Sequence, residues 1–285
     1  MNRYERFDCE CSAYSPAPDV PGNDLPVTGA APGAAGAAAQ TEGPAIAVRD
    51  LTKLYGRYRA VDGVSFELPR GATIGVIGGN GAGKTTTIAM IMGLTIPTSG
   101  TVTVLGHDMA RARHKVLRRM NFQSPYVAMP ARLTVRENLG VFGRLYGVRD
   151  LGNRIEALAE EFGLADVLRR ETGLLSAGQK TRVSIAKALL NEPEVLLLDE
   201  PTASLDPDRA AWVRGLLMAY QRRTGAAILM SSHNMEEVVA MCDWVAILSG
   251  GRVADFGTAS DLVWRHACDT LEEVFLRFSG SPGVW

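Results

Sequence analysis

From Ile46 onward, short runs rich in β-branched and apolar residues alternate with longer stretches whose apolar positions recur at helical spacing. Ile46 to Arg49, Val64 to Leu68, Thr73 to Ile77, Val195 to Leu198, Ala227 to Met230 and Val245 to Leu248 read as strands, bounded by Gly, Pro or Asp. Thr134-Val-Arg-Glu137 has the residues of a capping box that opens a helix towards Tyr146. The stretches 154–169, 177–190, 208–223 and 234–241 also read as helical. Strands that are apolar throughout, separated by helices, are what a largely parallel sheet covered on both faces requires. Residues 110–175 offer helices but no comparable strand, which predicts a helical insertion on an α/β core.

Upstream of Ile46 the pattern lapses. Between Ser15 and Pro44, 19 of 30 residues are Ala, Gly or Pro, so residues 1–44 read as a disordered head and residues 45–285 as one folded domain. Asp8, Glu10, Asp19 and Asp24 stand where an export signal needs a basic start and an apolar run. The head carries a net −4 and the remainder a net +3. A whole-chain charge of −1 gives no electrostatic reason to expect nucleic acid as the main partner. No apolar run approaches the roughly 18 residues that span a bilayer, so the chain is not expected to cross a membrane by itself. Cys9, Cys11, Cys242 and Cys268 make no disulfide framework in a chain of this length, and a reducing, cytosolic setting fits best. Cys9-Glu-Cys11 alone is an incomplete metal site.

The chemistry concentrates in three places. Gly78-Gly79-Asn80-Gly81-Ala82-Gly83-Lys84-Thr85-Thr86 matches G-x-x-x-x-G-K-[ST], after a strand and before a helix, as a phosphate loop must be. The glycines let backbone N–H groups close around phosphate oxygens, Lys84 reaches the β- and γ-phosphates, and Thr85 offers its hydroxyl to Mg²⁺. The apolar run Val195 to Leu198 ends in Asp199-Glu200, at the carboxyl end of a strand where α/β sheets bind ligands. Asp199 can hold Mg²⁺ through water, and Glu200 can polarise a water for in-line attack on the γ-phosphate. His233 follows the strand 227–230 through Ser231-Ser232 and can hydrogen-bond the γ-phosphate or the attacking water.

Leu175-Ser-Ala-Gly-Gln179-Lys180, lying between the phosphate loop and the Asp199-Glu200 strand, is similar to the signature of the ATP-binding-cassette (ABC) family, the nucleotide-binding subunits of ABC transporters. The resemblance covers roughly Ile46 to Phe278. It implies an α/β fold: a P-loop NTPase core with a mainly parallel sheet, a small antiparallel β part near the N-terminus, and a helical insertion subdomain over about 110–175. It further implies that two subunits pair head to tail, with each ATP between the phosphate loop of one and Ser176 to Gln179 of the other, where Ser176 and Gly178 touch the γ-phosphate. Ser204-Leu-Asp206 resembles the loop that links the two sites, and Tyr55 resembles the aromatic that stacks on adenine, with Tyr58 as the alternative.

Three positions depart from the family's pattern. Ala177 replaces the signature's second glycine, and Gly79 stands where proline is usual. The family's glutamine, which contacts Mg²⁺ and reports nucleotide state to the membrane partner, is assigned to Gln123, while an ungapped reading puts Ser124 or Pro125 nearer that role.

The resemblance therefore implies a Mg²⁺-dependent ATPase subunit that binds ATP and drives a separately encoded, multi-spanning permease from the cytoplasmic face of the membrane. The partner in the dimer is a second copy or a homologous subunit. Thr270 to Phe275 looks like the C-terminal helix of exporter subunits and no added regulatory domain follows, which favours export over import. The other readings are a soluble ABC ATPase without a permease and a nucleotide switch without turnover; Glu200 argues against the second. The basic run Arg111, Arg113, His114, Lys115, Arg118 and Arg119 reads as a solvated helix face, with lipid headgroups or a partner as its other reading.

Overall fold

A computed structural model describes residues 43–124 and 129–279. The Ala/Gly/Pro-rich head, apart from Gly43 and Pro44, lies outside the described residues, as do Cys9, Cys11 and Pro125.

In chain order the strands are β1 (Ile46–Tyr55), β2 (Tyr58–Leu68), β3 (Thr73–Gly78), β4 (Ser99–Val104), β5 (His107–Asp108), β6 (Met120–Gln123), β7 (Val195–Asp199), β8 (Ala227–Ser231), β9 (Trp244–Ser249) and β10 (Arg252–Gly257). The helices are α1 (Lys84–Ile91), α2 (Met109–Ala112), α3 (Val135–Tyr146), α4 (Leu151–Glu161), α5 (Ala177–Ala188), α6 (Pro207–Thr224), α7 (Met235–Met241), α8 (Ala259–Arg265) and α9 (Leu271–Ser279). The main sheet has the order β10-β9-β3-β8-β7-β6, parallel from β9 to β6 with β10 antiparallel at the edge. A second, antiparallel sheet has the order β2-β1-β4-β5.

Every residue of β7 and of β8 is buried. Side chains alternate across a strand, so one run feeds two cores. Val195 and Leu197 enter a core shared with α1 and the antiparallel sheet, while Leu196 and Leu198 enter a core shared with α3, α4, α5 and α6. A third core, around Ile77, Val245 and Ile247, is closed by α7, α8 and α9. Because the parallel strands all point one way, β3, β7 and β8 end side by side, and their carboxyl ends carry Gly78, Asp199 and Ser231.

Two sequence expectations change. The span 110–175 does contain a strand: β6 pairs parallel with β7, Gln123 opposite Leu198. It escaped detection because it is four residues long and two of them are buried amides, so the apolar run that marks β7 is missing. Asn121 is satisfied by a hydrogen bond from its Nδ2 to Asn191 Oδ1 at 2.8 Å. The helical insertion consequently begins after this strand and not at residue 110. The helix expected over 154–169 runs instead from Leu151 to Glu161, stopped by Gly163 in the left-handed region at φ +57°. Within the basic run, Arg113 donates to Gly93 O and Arg119 pairs with Glu194, while Arg111, His114, Lys115 and Arg118 are exposed.

Candidate functional site

The phosphate loop joins β3 to α1. Two of its glycines are demanded by their surroundings. A Cβ on Gly78 would stand 2.4 Å from Leu248 O, and one on Gly83 would stand 2.6 Å from Ala60 O at a backbone φ of +99°. The side chain of Lys84 folds back over the loop, its Nζ donating to Gly78 O at 2.6 Å and Gly79 O at 3.1 Å. Burial pushes the Lys84 ammonium below the usual lysine range, against an opposing pull from Glu200 and Asp199.

Lys84, Thr85 and Thr86 share a depression of about 270 Å³ with Asn80, Gly81, Ala82, Gly83, Asp199, Glu200, Tyr55 and Tyr58. Residues separated by more than 100 positions are thus gathered at one mouth. Tyr55 and Tyr58 face each other across the β1–β2 turn, both half exposed. The Lys53 ammonium lies 5.1 Å from the Tyr55 ring centre, and the Tyr58 hydroxyl leans on Gly81 O at 3.5 Å.

Asp199 is buried at the end of β7, and both its oxygens accept hydrogen bonds: Oδ1 from Ser231 Oγ at 2.5 Å and Oδ2 from Ser124 Oγ at 3.2 Å. Glu200, the next residue, has a left-handed backbone (φ +48°), which turns its side chain out of the strand direction. Its amide donates to Ser231 O at 2.9 Å, tying it to β8. His233 Nδ1 stands 3.2 Å from Glu200 Oε1.

Ser124, not Gln123, reaches Asp199. Gln123 is fully buried, and neither end of its amide has a partner among the described residues. It borders a separate cavity of about 280 Å³ together with Ser124, Thr172, Ala177 and Lys180. The serine contact was one of the openings left by the ungapped reading; Ser231 carried no signal beyond its place beside chemistry-bearing residues.

The stretch Ser176 to Gln179 is kept apart from this depression, and none of Ser176, Gly178 and Gln179 lines it. Ser176 caps α5 in a reciprocal box: its Oγ accepts from Gln179 N at 3.2 Å, and Gln179 Oε1 accepts from Ser176 N at 3.0 Å. Gly178 packs against the loop after Glu200, where a Cβ would lie 3.3 Å from Leu205 Cδ2. Asp206 caps α6, accepting from Arg209 N at 3.0 Å.

For a divalent cation, the depression offers the Thr85 hydroxyl and the Asp199 carboxylate, both hard oxygen donors. No cluster of three or more His, Cys, Asp or Glu that could cage a metal exists among the described residues. Few protein oxygens beside a phosphate site suit Mg²⁺, which keeps waters and shares phosphate oxygens.

The chain has relatives among known proteins. A family model described as "ABC transporter" matches residues 61–203. The chain is 35% identical over 236 residues to the Nod factor export ATP-binding protein I of Ralstonia nicotianae, covering 80% of this chain and 72% of that protein. It is 37% identical over 246 residues to the daunorubicin resistance ATP-binding protein DrrA3 of Streptomyces coeruleorubidus, covering 84% and 76%. A solved structure of the ATP-binding subunit of an ABC transporter superposes with a TM-score of 0.76 at 30% identity, covering 82% of this chain and 98% of that one.

Proposed function

Because this chain belongs to the ABC transporter family, we propose that it is the Mg²⁺-dependent ATP-hydrolysing subunit of an export system whose permease is a separate polypeptide. The observation that carries this reading is the meeting of Glu200 and His233 at 3.2 Å beside the depression that holds Lys84 and Asp199.

ATP enters with its phosphates on the backbone amides of Gly79 to Thr86, whose helix N-terminus favours negative charge, and with Lys84 turned from its own loop carbonyls to the β- and γ-phosphates. Tyr55 stacks on the adenine with the ring face that Lys53 leaves free. Glu200 polarises a water for in-line attack on the γ-phosphorus. The bond to the bridging oxygen breaks, ADP and phosphate result, and the water's proton passes to Glu200. His233 holds Glu200 and the γ-phosphate side of the water in line. Thr85 and Asp199 hold Mg²⁺, with Ser124 rather than Gln123 steadying the carboxylate. That cation, when bound, neutralises charge on the phosphate oxygens.

Since Ser176, Gly178 and Gln179 do not line the depression of their own chain, the signature reaches the γ-phosphate only from a second copy or a homologous subunit docked head to tail. Gly178 against Leu205 then gives the loop Ser204 to Asp206 a direct contact with the signature helix.

Export is favoured because the relatives are named for export and drug resistance. No described helix is long and apolar enough to cross a membrane. In this reading the separate permease carries the substrate and holds the subunit at the membrane's cytoplasmic face, as the relatives' role as ATP-binding proteins of transport systems suggests. The test is to tag the full chain, purify it from detergent-solubilised membranes and identify what accompanies it. A stoichiometric multi-spanning protein supports the reading; recovery in the cytosol with no such partner overturns it.

A further inference from the structure

Glu237 has no part in the phosphoryl transfer just described, yet its residue is 1% exposed. A carboxylate is that deeply buried only when its oxygens are satisfied. Thr202 Oγ1 donates to Glu237 Oε1 at 2.8 Å, and Ser232 Oγ donates to Oε2 at 2.6 Å. Both hydroxyl residues are themselves buried, at 6% and 3%. Thr202 lies two residues beyond Glu200, and Ser232 immediately precedes His233. A single side chain on α7 therefore fastens together the two loops that carry the paired groups of the site. The first turn of α7 is itself fixed, because Asn234 Oδ1 accepts from the amides of Glu236 and Glu237.

The paired groups need this support. The His233 side chain is 65% exposed and that of Glu200 26%, so packing does little to hold the imidazole. Its distance from Glu200 is set by where the two loop backbones lie. We propose that Glu237 is a positioning residue for ATP hydrolysis, a buried clamp that holds the Glu200 and His233 loops in mutual register through Thr202 and Ser232. The inference rests on the ATPase reading above and adds to it a residue that touches neither nucleotide nor water.

The test uses the full chain and steady-state ATPase kinetics with ADP binding measured alongside. Glu237→Ala unfastens the loops, and a misplacement on the order of 1 Å lowers kcat by about 100-fold while KM for ATP and ADP affinity stay within about twofold. Glu237→Gln keeps an acceptor for one hydroxyl and offers an amide that the other can accept from, so kcat recovers to within about fivefold of wild type. Thr202→Val alone lowers kcat and adds nothing in the Glu237→Ala background, the signature of one shared clamp. If Glu237→Ala does not fold, Glu237→Asp, a methylene too short for both hydroxyls, carries the same expectation. Wild-type kcat in the Ala or Asp variant overturns the proposal, as does a loss of ADP affinity equal to the loss of kcat. A wild-type chain that does not hydrolyse ATP, or whose hydrolysis is indifferent to Glu200→Gln, sinks the ATPase reading itself and this inference with it.

Discussion

His233 Nδ1 lies 3.2 Å from Glu200 Oε1, although the two residues follow different strands. The contact exists because β7 and β8 are parallel neighbours, Asp199 opposite Ser231, so that each loop leaves the sheet at the same level. His233→Ala removes the imidazole without touching the phosphate loop. Phosphate release should fall by about 100-fold with ADP binding unchanged; parallel losses in both would show that the histidine supports the fold and not the reaction.

Ser124 and Gln123 are adjacent but differ in their contacts: Ser124 donates to Asp199, while the Gln123 amide is buried beside a cavity lined by Thr172, Ala177 and Lys180 and has no hydrogen-bond partner among the described residues. Ser124→Ala frees one oxygen of Asp199 and should raise the Mg²⁺ concentration needed for half-maximal ATPase activity severalfold. Gln123→Met replaces a buried amide that has no partner among the described residues by an apolar chain of similar volume. It should leave hydrolysis intact and raise stability in urea by about 1 kcal/mol. Loss of hydrolysis in Gln123→Met would return the family's glutamine role to Gln123.

Lys187 is 5% exposed, with its ammonium 5.2 Å from the Phe142 ring centre and no carboxylate paired to it among the described residues. Burial pushes its ammonium below the usual lysine range. Over the interval from that lowered value up to the ordinary lysine range the unfolded chain holds a proton that the folded chain has released, so stability rises with pH there and is lost as pH falls through the lowered value. Lys84 acts with the same sign. Urea unfolding across the alkaline range should reveal the rise, and Lys187→Met should flatten it in part while adding about 1 kcal/mol at neutral pH.

Tyr55 and Tyr58 differ in what already occupies them. Tyr55→Ala should weaken ATP binding about tenfold, the value of one base-stacking contact. Tyr58→Phe removes only a long hydroxyl contact and should stay within about twofold. The opposite ranking, measured by titration with a fluorescent ATP analogue, would move the adenine to Tyr58.

The phosphate loop was legible because its chemistry is local: nine consecutive residues with a strand before and a helix after. Asp199, Glu200 and His233 were legible as strand ends. What brings them into contact was not, since Ser124 meets Asp199 across 75 residues and Thr202 meets Glu237 across 35, and neither serine nor threonine carries a pattern of its own. β6 was missed for a related reason: a strand whose inward positions include Asn121 and Gln123 satisfies its polarity through tertiary partners or leaves it unsatisfied, and apolar periodicity reports neither. The α3 capping box, by contrast, was read directly from Thr134 and Glu137, because both of its bonds close within four residues.

The most direct test is Glu200→Gln, assayed for phosphate release and for association state in the presence of Mg²⁺ and ATP. Removing the base while leaving the phosphate loop, Asp199 and the Ser176 to Gln179 stretch intact should lower turnover by about 100-fold or more and accumulate an ATP-bound dimer in analytical ultracentrifugation. Turnover at the wild-type rate, or a chain that stays monomeric with ATP bound, would contradict the account.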